Sequence, residues 1–138
     1  MLELAERHKD FKAEVFKKVN ESDIESLSTP EAKKAYNWNR QVAGCYQRSR
    51  AFARLNINKH SIIYGKIEPE HFVEDLVAKW FLSRFPIFTI MVESKRGTFV
   101  VSKDSKLRVY KETIDSLLPK FEKTTYNSIT DALRISQE

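Results

Sequence analysis

The sequence is poor in residues that cross-link, break or loosen a chain. Cys45 is the one cysteine among 138 residues, and there are only three glycines and four prolines. This composition excludes an internal disulfide framework and a low-complexity chain, and it is typical of a reducing compartment. No apolar run approaches the roughly 20 residues that span a bilayer, and the N-terminus is too charged for a signal peptide. We therefore expect a cytoplasmic protein without a membrane segment.

The motifs of several enzyme classes are missing as well. There is no glycine-rich phosphate loop, no GxSxG nucleophile elbow and no HExxH motif, and the three histidines lack the spacing of metal ligands. The sequence therefore predicts no metal and no cofactor. One acid–base constellation is present, His71 with Glu70 and Glu74. Carboxylates in the first turn of a helix are, however, expected from the helix dipole alone.

Acidic residues are absent from one long window. Between Ala32 and Ile67 there is no Asp or Glu, whereas the whole chain carries a net charge of +5. Segregated positive charge is the electrostatic footprint of a polyanion partner, and a solvated basic surface is the alternative interpretation. The candidate nucleic-acid-binding residues are cations of this window and of one later turn: Lys33, Arg40, Arg48, Arg50, Arg54, Lys95 and Arg96.

Apolar residues recur at helical spacing in the N-terminal part, residues 1–51. The spacing predicts one helix over residues 2–20, with His8 on its apolar stripe as a core histidine. Ser28-Thr29-Pro30 predicts a second helix start, because a hydroxyl caps the helix and proline is tolerated at the first position. That helix runs to about Arg50. It buries Cys45 as a small apolar residue.

The helix from Pro30 has two different faces. Its apolar face is formed by Ala35, Trp38, Val42, Cys45, Tyr46 and Ser49. Lys33, Arg40 and Gln47 lie nearly opposite, with Arg48 beside them. The helix therefore offers one face to a core and a basic face to a partner. Gly44, in its interior, costs about 1 kcal/mol against alanine and indicates a close packing contact.

Residues 52–110 predict a ββαββ unit with a mainly antiparallel sheet. Alternation indicates a first hairpin that turns at Asn58-Lys59, with Phe52 in the core. Pro69 is expected to open a helix over Glu70–Phe85. The apolar run Ile87–Val92 is typical of a central strand covered on both faces. Thr98–Ser102 completes the unit, and Lys106–Tyr110 is expected as a fifth strand of the sheet.

The remaining residues, 111–138, predict a short C-terminal helical tail. Ile114, Leu117 and Leu118 are its apolar residues, and Ser128 with Asp131 resembles a further helix start. Taken together, the sequence predicts a single α+β domain over residues 1–138. Its parts are N-terminal helices, the ββαββ core and the tail.

Residues 47–110 resemble a bacterial and archaeal domain family of unknown function that is linked to DNA metabolism. The family pattern is a basic segment leading into Phe-x-Arg-Phe, then Ile-x-Pro-x-His, Phe-x-x-Arg-Phe and a basic turn. The matching residues are Arg48, Phe52, Arg54, Tyr64, Ile67, Pro69, His71, Phe81, Arg84, Phe85, Lys95 and Arg96. The chain departs from the pattern at Gln47, where a histidine is usual, and at Leu55.

The resemblance implies a prokaryotic protein that accompanies a radical-SAM DNA-modification protein. Some members of the family are fused to uracil-DNA-glycosylase-like domains. With the acid-free window, this leads to the hypothesis of an accessory module that binds DNA or RNA. Two alternatives stay open. One is a protein-interaction subunit that does not bind nucleic acid; the other is an enzyme acting on nucleic acid through His71 with Glu70 or Glu74.

Overall fold

The computed structural model describes residues 2–122, which form helices followed by a five-stranded sheet, an α+β architecture. The helical elements before the sheet are a 3₁₀ turn η1 (Ala5–Arg7), α1 (Ala13–Lys17), α2 (Glu21–Ser26) and α3 (Pro30–Phe52). They are followed by β1 (Arg54–Ile57), β2 (Ile62–Lys66), α4 (Glu74–Arg84), β3 (Thr89–Ser94), β4 (Gly97–Ser102) and β5 (Ser105–Tyr110). Residues 114–122 form a last helix, α5.

The chain divides into two compact units. The helical unit consists of Met1–Phe52 and Pro69–Val73, and the sheet unit consists of Ala53–Glu68 and Glu74–Glu138. The short segment 69–73 therefore belongs with the N-terminal helices, although it lies between two elements of the sheet unit in sequence. The single domain over residues 1–138 stays a prediction.

Helix α3 is the main element of the helical unit. It starts where the Ser-Thr-Pro sequence predicts, since Thr29 Oγ1 accepts a hydrogen bond from the Ala32 main-chain N–H at 3.0 Å. The predicted apolar face is buried at Ala32, Ala35, Trp38, Val42 and Cys45. Leu2 and Ala5 pack against Ala35 and Trp38 on this face. Phe52, expected in the core, is instead 78% exposed at the end of the helix, so that expectation is wrong.

The continuous helix predicted over residues 2–20 is also wrong. The chain between η1 and α1 is extended at His8 (φ −65°, ψ 137°) and again at Lys12 (φ −129°, ψ 119°). The apolar residues at helical spacing pack together without one continuous helix: Phe11, Val15 and Val19 lie against the cluster around Trp38. His8 is buried, as the pattern predicts.

The sheet unit contains one mixed sheet with the strand order β1-β2-β3-β4-β5. Strands β2 and β3 are parallel, and the other three neighbouring pairs are antiparallel. Parallel neighbours need a crossover connection, and α4 lies in that connection. The predicted ββαββ unit with a mainly antiparallel sheet is confirmed.

Strand β3 is the central strand and is covered on both faces. Ile90, Met91 and Val92 are all buried in succession, as the apolar run predicts for such a strand. Helix α4 packs against β3 and β4. On the face that contains Met91, α5 contributes Ile114 and Leu117 to the core.

The helical tail is confirmed over residues 114–122. Its first turn is held by the sheet, because the Ile114 N–H donates to Glu93 Oε1 at 2.7 Å. Thr98 Oγ1 donates to the Glu112 carbonyl oxygen at 2.7 Å just before the helix. The further helix start predicted at Ser128 and Asp131 lies outside the described residues.

The predicted start of α4 at Pro69 is wrong, because residues 69–73 are not helical and α4 begins at Glu74. The main-chain groups of Phe72 bond instead to Arg7, the last residue of η1. The Phe72 N–H donates to the Arg7 carbonyl oxygen at 3.0 Å, and Arg7 Nη1 donates to the Phe72 carbonyl oxygen at 3.1 Å. The segment after Pro69 is therefore held by Arg7 rather than by a helix cap.

A buried ion pair ties the start of α4 to the β3–β4 turn. Glu74 is 1% exposed, and its carboxylate accepts from Arg96 Nη1 at 3.1 and 3.0 Å and from Ser94 Oγ at 2.7 Å. The Ser94 Oγ also accepts the Arg96 N–H at 3.1 Å. Two residues predicted as functional, Glu74 and Arg96, therefore hold two elements of the sheet unit together.

We expect Arg96→Met to lower the free energy of unfolding by about 3 kcal/mol, because it leaves the Glu74 carboxylate buried without its cation. Urea denaturation at neutral pH measures the loss. Lys95→Met, an exposed neighbour in the same turn, is the matched control and should change stability by less than about 0.5 kcal/mol. The double variant Glu74→Leu/Arg96→Met should recover part of the loss. Equal effects of Arg96→Met and Lys95→Met would contradict the structural role.

Candidate functional site

An open polar cleft of about 460 Å³ lies within the helical unit. Three segments line it. The chain after η1 contributes His8, Lys9 and Asp10; α3 contributes Arg40, Gln41, Gly44 and Arg48; and the segment before α4 contributes Glu70 and His71. Every lining residue except Gly44 carries a polar or charged side chain.

Two arginines form the α3 side of the cleft. Arg40 and Arg48 stand eight residues apart, so at 3.6 residues per turn their directions differ by about 80°, and both line the cleft. Both are exposed. Within residues 2–122, neither forms an ion pair with a carboxylate. The Arg40 guanidinium lies 6.0 Å from the centroid of the Tyr36 ring.

Gly44 lies between these arginines and makes room for one of them. A Cβ atom at this position would come within 3.1 Å of Arg48 Nη1, which is tighter than ordinary van der Waals contact. The close contact that the sequence predicts for Gly44 is therefore with an arginine of its own helix. Glycine in a helix interior costs roughly 1 kcal/mol against alanine. At this position it allows a guanidinium group to lie close to the helix surface.

Two stacked imidazole rings form another wall of the cleft. The ring centroids of His8 and His71 are 4.2 Å apart, with the planes inclined by 35°. Both residues are buried. On its other side the His8 ring contacts the Trp38 indole, with centroids 5.6 Å apart. The pair is thus part of the packed interior of the unit as well as of its cleft.

A main-chain hydrogen bond selects the tautomer of His8. Its Nδ1 accepts the Asp10 N–H at 3.0 Å, so the neutral ring carries its proton on Nε2. This Nε2 lies 2.5 Å from Gln41 Oε1 and donates to it. The amide oxygen of Gln41 is therefore turned toward His8, and its NH₂ group lies on the opposite side of the amide.

His71 is held in the neutral form. Its Nδ1 accepts the Lys9 main-chain N–H at 3.1 Å, and protonation would turn this acceptor into a donor facing another donor. Burial lowers the pKa of His71. The neighbouring His8 and Lys9 lower this pKa further, whereas Glu70 and Asp10 oppose the shift.

A salt bridge lies at the exposed side of the cleft. Lys9 Nζ is 2.7 Å from Glu70 Oε1, and both side chains are about half exposed. The hydrogen bond and the charge of Lys9 lower the pKa of Glu70, and those of Glu70 raise the pKa of Lys9. Glu70 is therefore a carboxylate at neutral pH and does not serve there as a proton donor.

The structure places some of the predicted site residues at the cleft and the others elsewhere. Arg40, Arg48, Glu70 and His71 meet at the cleft. Lys33 is exposed on α3, and Arg50 lies with its guanidinium 4.4 Å from the Tyr46 ring centroid. The other predicted residues belong to the sheet unit: Arg54 is exposed in β1, Lys95 is exposed in the β3–β4 turn, and Glu74 pairs with Arg96.

Sequence reasoning missed the part of the cleft contributed by the chain after η1. Lys9, Asp10 and Gln41 were assigned no role, and His8 was expected in the core without a functional neighbour. The spacing offers no clue, since 62 residues separate Lys9 from His71, whose Nδ1 accepts its N–H. Contacts between residues distant in sequence bring the two segments together: Arg7 pairs with Phe72, His8 stacks on His71, and Lys9 forms a salt bridge with Glu70.

The fold and the cleft define an α+β protein with a polar, arginine-lined cleft in its helical unit. The chain belongs to the family described as domain of unknown function DUF4130, whose model matches residues 10–136. No curated protein and no solved structure gives a significant match. None of the helices within residues 2–122 has the length and apolar character needed to cross a membrane. The same residues contain no group of three or more His, Cys, Asp or Glu placed to hold a metal ion.

Because of His71, we expect the free energy of unfolding to decrease as the pH becomes more acidic. Its pKa is lower in the folded chain than the unfolded value of about 6.5, so the unfolded chain binds more protons. The contribution of His71 is therefore complete above the unfolded pKa and decreases as pH falls below it toward the folded pKa. His71→Asn offers an amide oxygen to the Lys9 N–H but does not titrate.

Urea denaturation at several pH values between about 5 and 8 measures this effect. The free energy of unfolding should decrease less steeply toward acid pH in His71→Asn than in the unchanged protein. His60→Asn, which alters a histidine outside the cleft, should keep the original slope. If both variants keep it, His71 is not the group responsible.

Proposed function

We propose that the helical unit binds nucleic acid through phosphate groups, and that the protein is an accessory module in DNA metabolism. The observation that carries this proposal is the pair Arg40 and Arg48, exposed at an open cleft and without an ion-pair partner within residues 2–122. Eight residues of helix correspond to about 12 Å. The two guanidinium groups are therefore placed to hold separate phosphates.

The side-chain chemistry supports phosphate as the ligand. Guanidinium groups donate in a fixed fork that matches phosphate oxygens, and these bonds are stronger than neutral ones. No carboxylate of α3 competes for them, because Glu31 in the first turn is the only acidic residue of this helix. Lys33 is exposed on the same face and extends the basic stripe.

The same contacts favour binding over catalysis. The acid–base hypothesis needs a proton donor and an acceptor that are not engaged elsewhere. The Glu74 carboxylate accepts hydrogen bonds from Arg96 and Ser94, and Glu70 is ionised beside Lys9. His71 uses its Nδ1 for the Lys9 N–H.

We expect Arg40→Gln/Arg48→Gln to weaken binding of a fluorescein-labelled oligonucleotide about tenfold or more at about 50 mM salt, since two phosphate contacts are lost. Fluorescence anisotropy at about 50 and 200 mM salt measures both affinity and salt dependence. The slope of log K against log salt should decrease by about 0.7 per lost contact for a single strand and by about 0.9 for a duplex.

Lys103→Gln/Lys106→Gln is the matched control. It removes the same charge from exposed positions around the β4–β5 turn of the sheet unit, and we expect it to leave both affinity and slope nearly unchanged. Equal weakening by the two double variants would show a response to net charge alone and contradict the cleft as the binding site. Absence of binding by the unchanged protein at about 50 mM salt would overturn the proposed function itself.

A further inference from the structure

We infer that the cleft receives a single nucleotide of the bound nucleic acid, whose base carries an exocyclic amine, as in adenine or cytosine. This inference rests on the proposed function and names the ligand of the same site. Phosphate contacts along a strand need only surface cations. The cleft of about 460 Å³ instead falls in the range of pockets that enclose small ligands, about 300–1,000 Å³.

The arginine side of the cleft accounts for the phosphate and leaves the base to the other walls. Arg48 lies over the surface of α3 at Gly44. His8 lines the same cleft, with Asp10 and Gln41 bonded to its ring. These groups offer both hydrogen-bond donors and acceptors, which a phosphate does not need and a base edge does.

Gln41 supplies the donor. Its oxygen accepts from His8 Nε2, and the Asp10 N–H on Nδ1 forces this tautomer. The Gln41 NH₂ group is therefore oriented by the main chain, through the imidazole. Within residues 2–122 no acceptor is bonded to it, so it is available to a ring nitrogen of a base.

Asp10 supplies the acceptor. Its main-chain N–H is held by His8, and its side chain is exposed and lines the cleft. The carboxylate forms no ion pair with the residues described from Leu2 to Glu122. Asp10 and Gln41 both line the cleft, and they flank the His8 ring because they bond to its two different nitrogens.

A donor and an acceptor together fit bases that present a ring nitrogen next to an amine. Adenine offers N7 and the N6 amine, and cytosine donates from its N4 amine to carboxylates. Thymine presents the O4 oxygen at the corresponding place, which a carboxylate repels. We therefore expect dAMP and dCMP to bind about tenfold or more tightly than dTMP, a difference of at least about 1.4 kcal/mol.

Isothermal titration calorimetry of the full chain with dAMP, dCMP, dTMP and inorganic phosphate tests this preference. We expect dAMP to displace a labelled oligonucleotide and inorganic phosphate to bind more weakly than dAMP. Asp10→Asn should reduce the ratio of dAMP to dTMP affinity toward one, because an amide can both accept from an amine and donate to the thymine O4 oxygen. Asp104→Asn, in the β4–β5 turn, is the matched control and should preserve the ratio.

The outcomes separate the inference from the function on which it rests. If the oligonucleotide binds with a steep salt slope but no monophosphate binds or competes, the single-nucleotide site is overturned and phosphate-mediated binding stands. Equal affinities for dAMP and dTMP would overturn the role of Asp10 and Gln41 in recognising the base. If the oligonucleotide does not bind at about 50 mM salt, the proposed function fails first. Thermal unfolding of each variant checks that it folds, so that a lost preference reports the site.

Discussion

The helical unit depends on two main-chain N–H groups that donate to imidazole nitrogens. Lys9 donates to His71 and Asp10 donates to His8. Both bonds are partly buried, and they satisfy two donors that lack helical partners where the chain leaves a helical path. They also require both rings to be neutral acceptors at Nδ1. The positive charge of the cleft therefore comes from arginine and lysine, and the histidines contribute shape and orientation.

The charged residues of this chain differ more in their partners than in their type. Arg96 is held by the buried Glu74, Lys9 is paired with Glu70, and Arg40 and Arg48 have no ion-pair partner in the described part of the chain. A cation that already pairs with a carboxylate binds a phosphate less favourably, because the phosphate must first replace that carboxylate. Counting cations along the sequence does not distinguish paired from unpaired side chains. Because Arg40 and Arg48 have no carboxylate partner in the described part of the chain, they are the cations best placed to bind phosphate.

Much of the fold could be predicted because it is encoded by local periodicity. The capped start of α3 at Thr29, its buried stripe through Trp38 and the apolar run of β3 each follow from spacing within one element. The site could not be predicted in the same way. It requires the chain near His8 to meet His71, which involves a main-chain bond and a side-chain bond between Arg7 and Phe72. The Pro69 signature was misleading because proline suits a helix start and an extended segment equally well.

The orientation of Gln41 shows how a main-chain bond can set the chemistry of a side chain two contacts away. An isolated glutamine amide presents its oxygen or its NH₂ group with little difference in energy. Here the Asp10 N–H selects the His8 tautomer, and the His8 Nε2–H then selects the amide oxygen. The Asp10 main chain therefore orients the Gln41 NH₂ group through the imidazole ring, although it does not contact Gln41 itself.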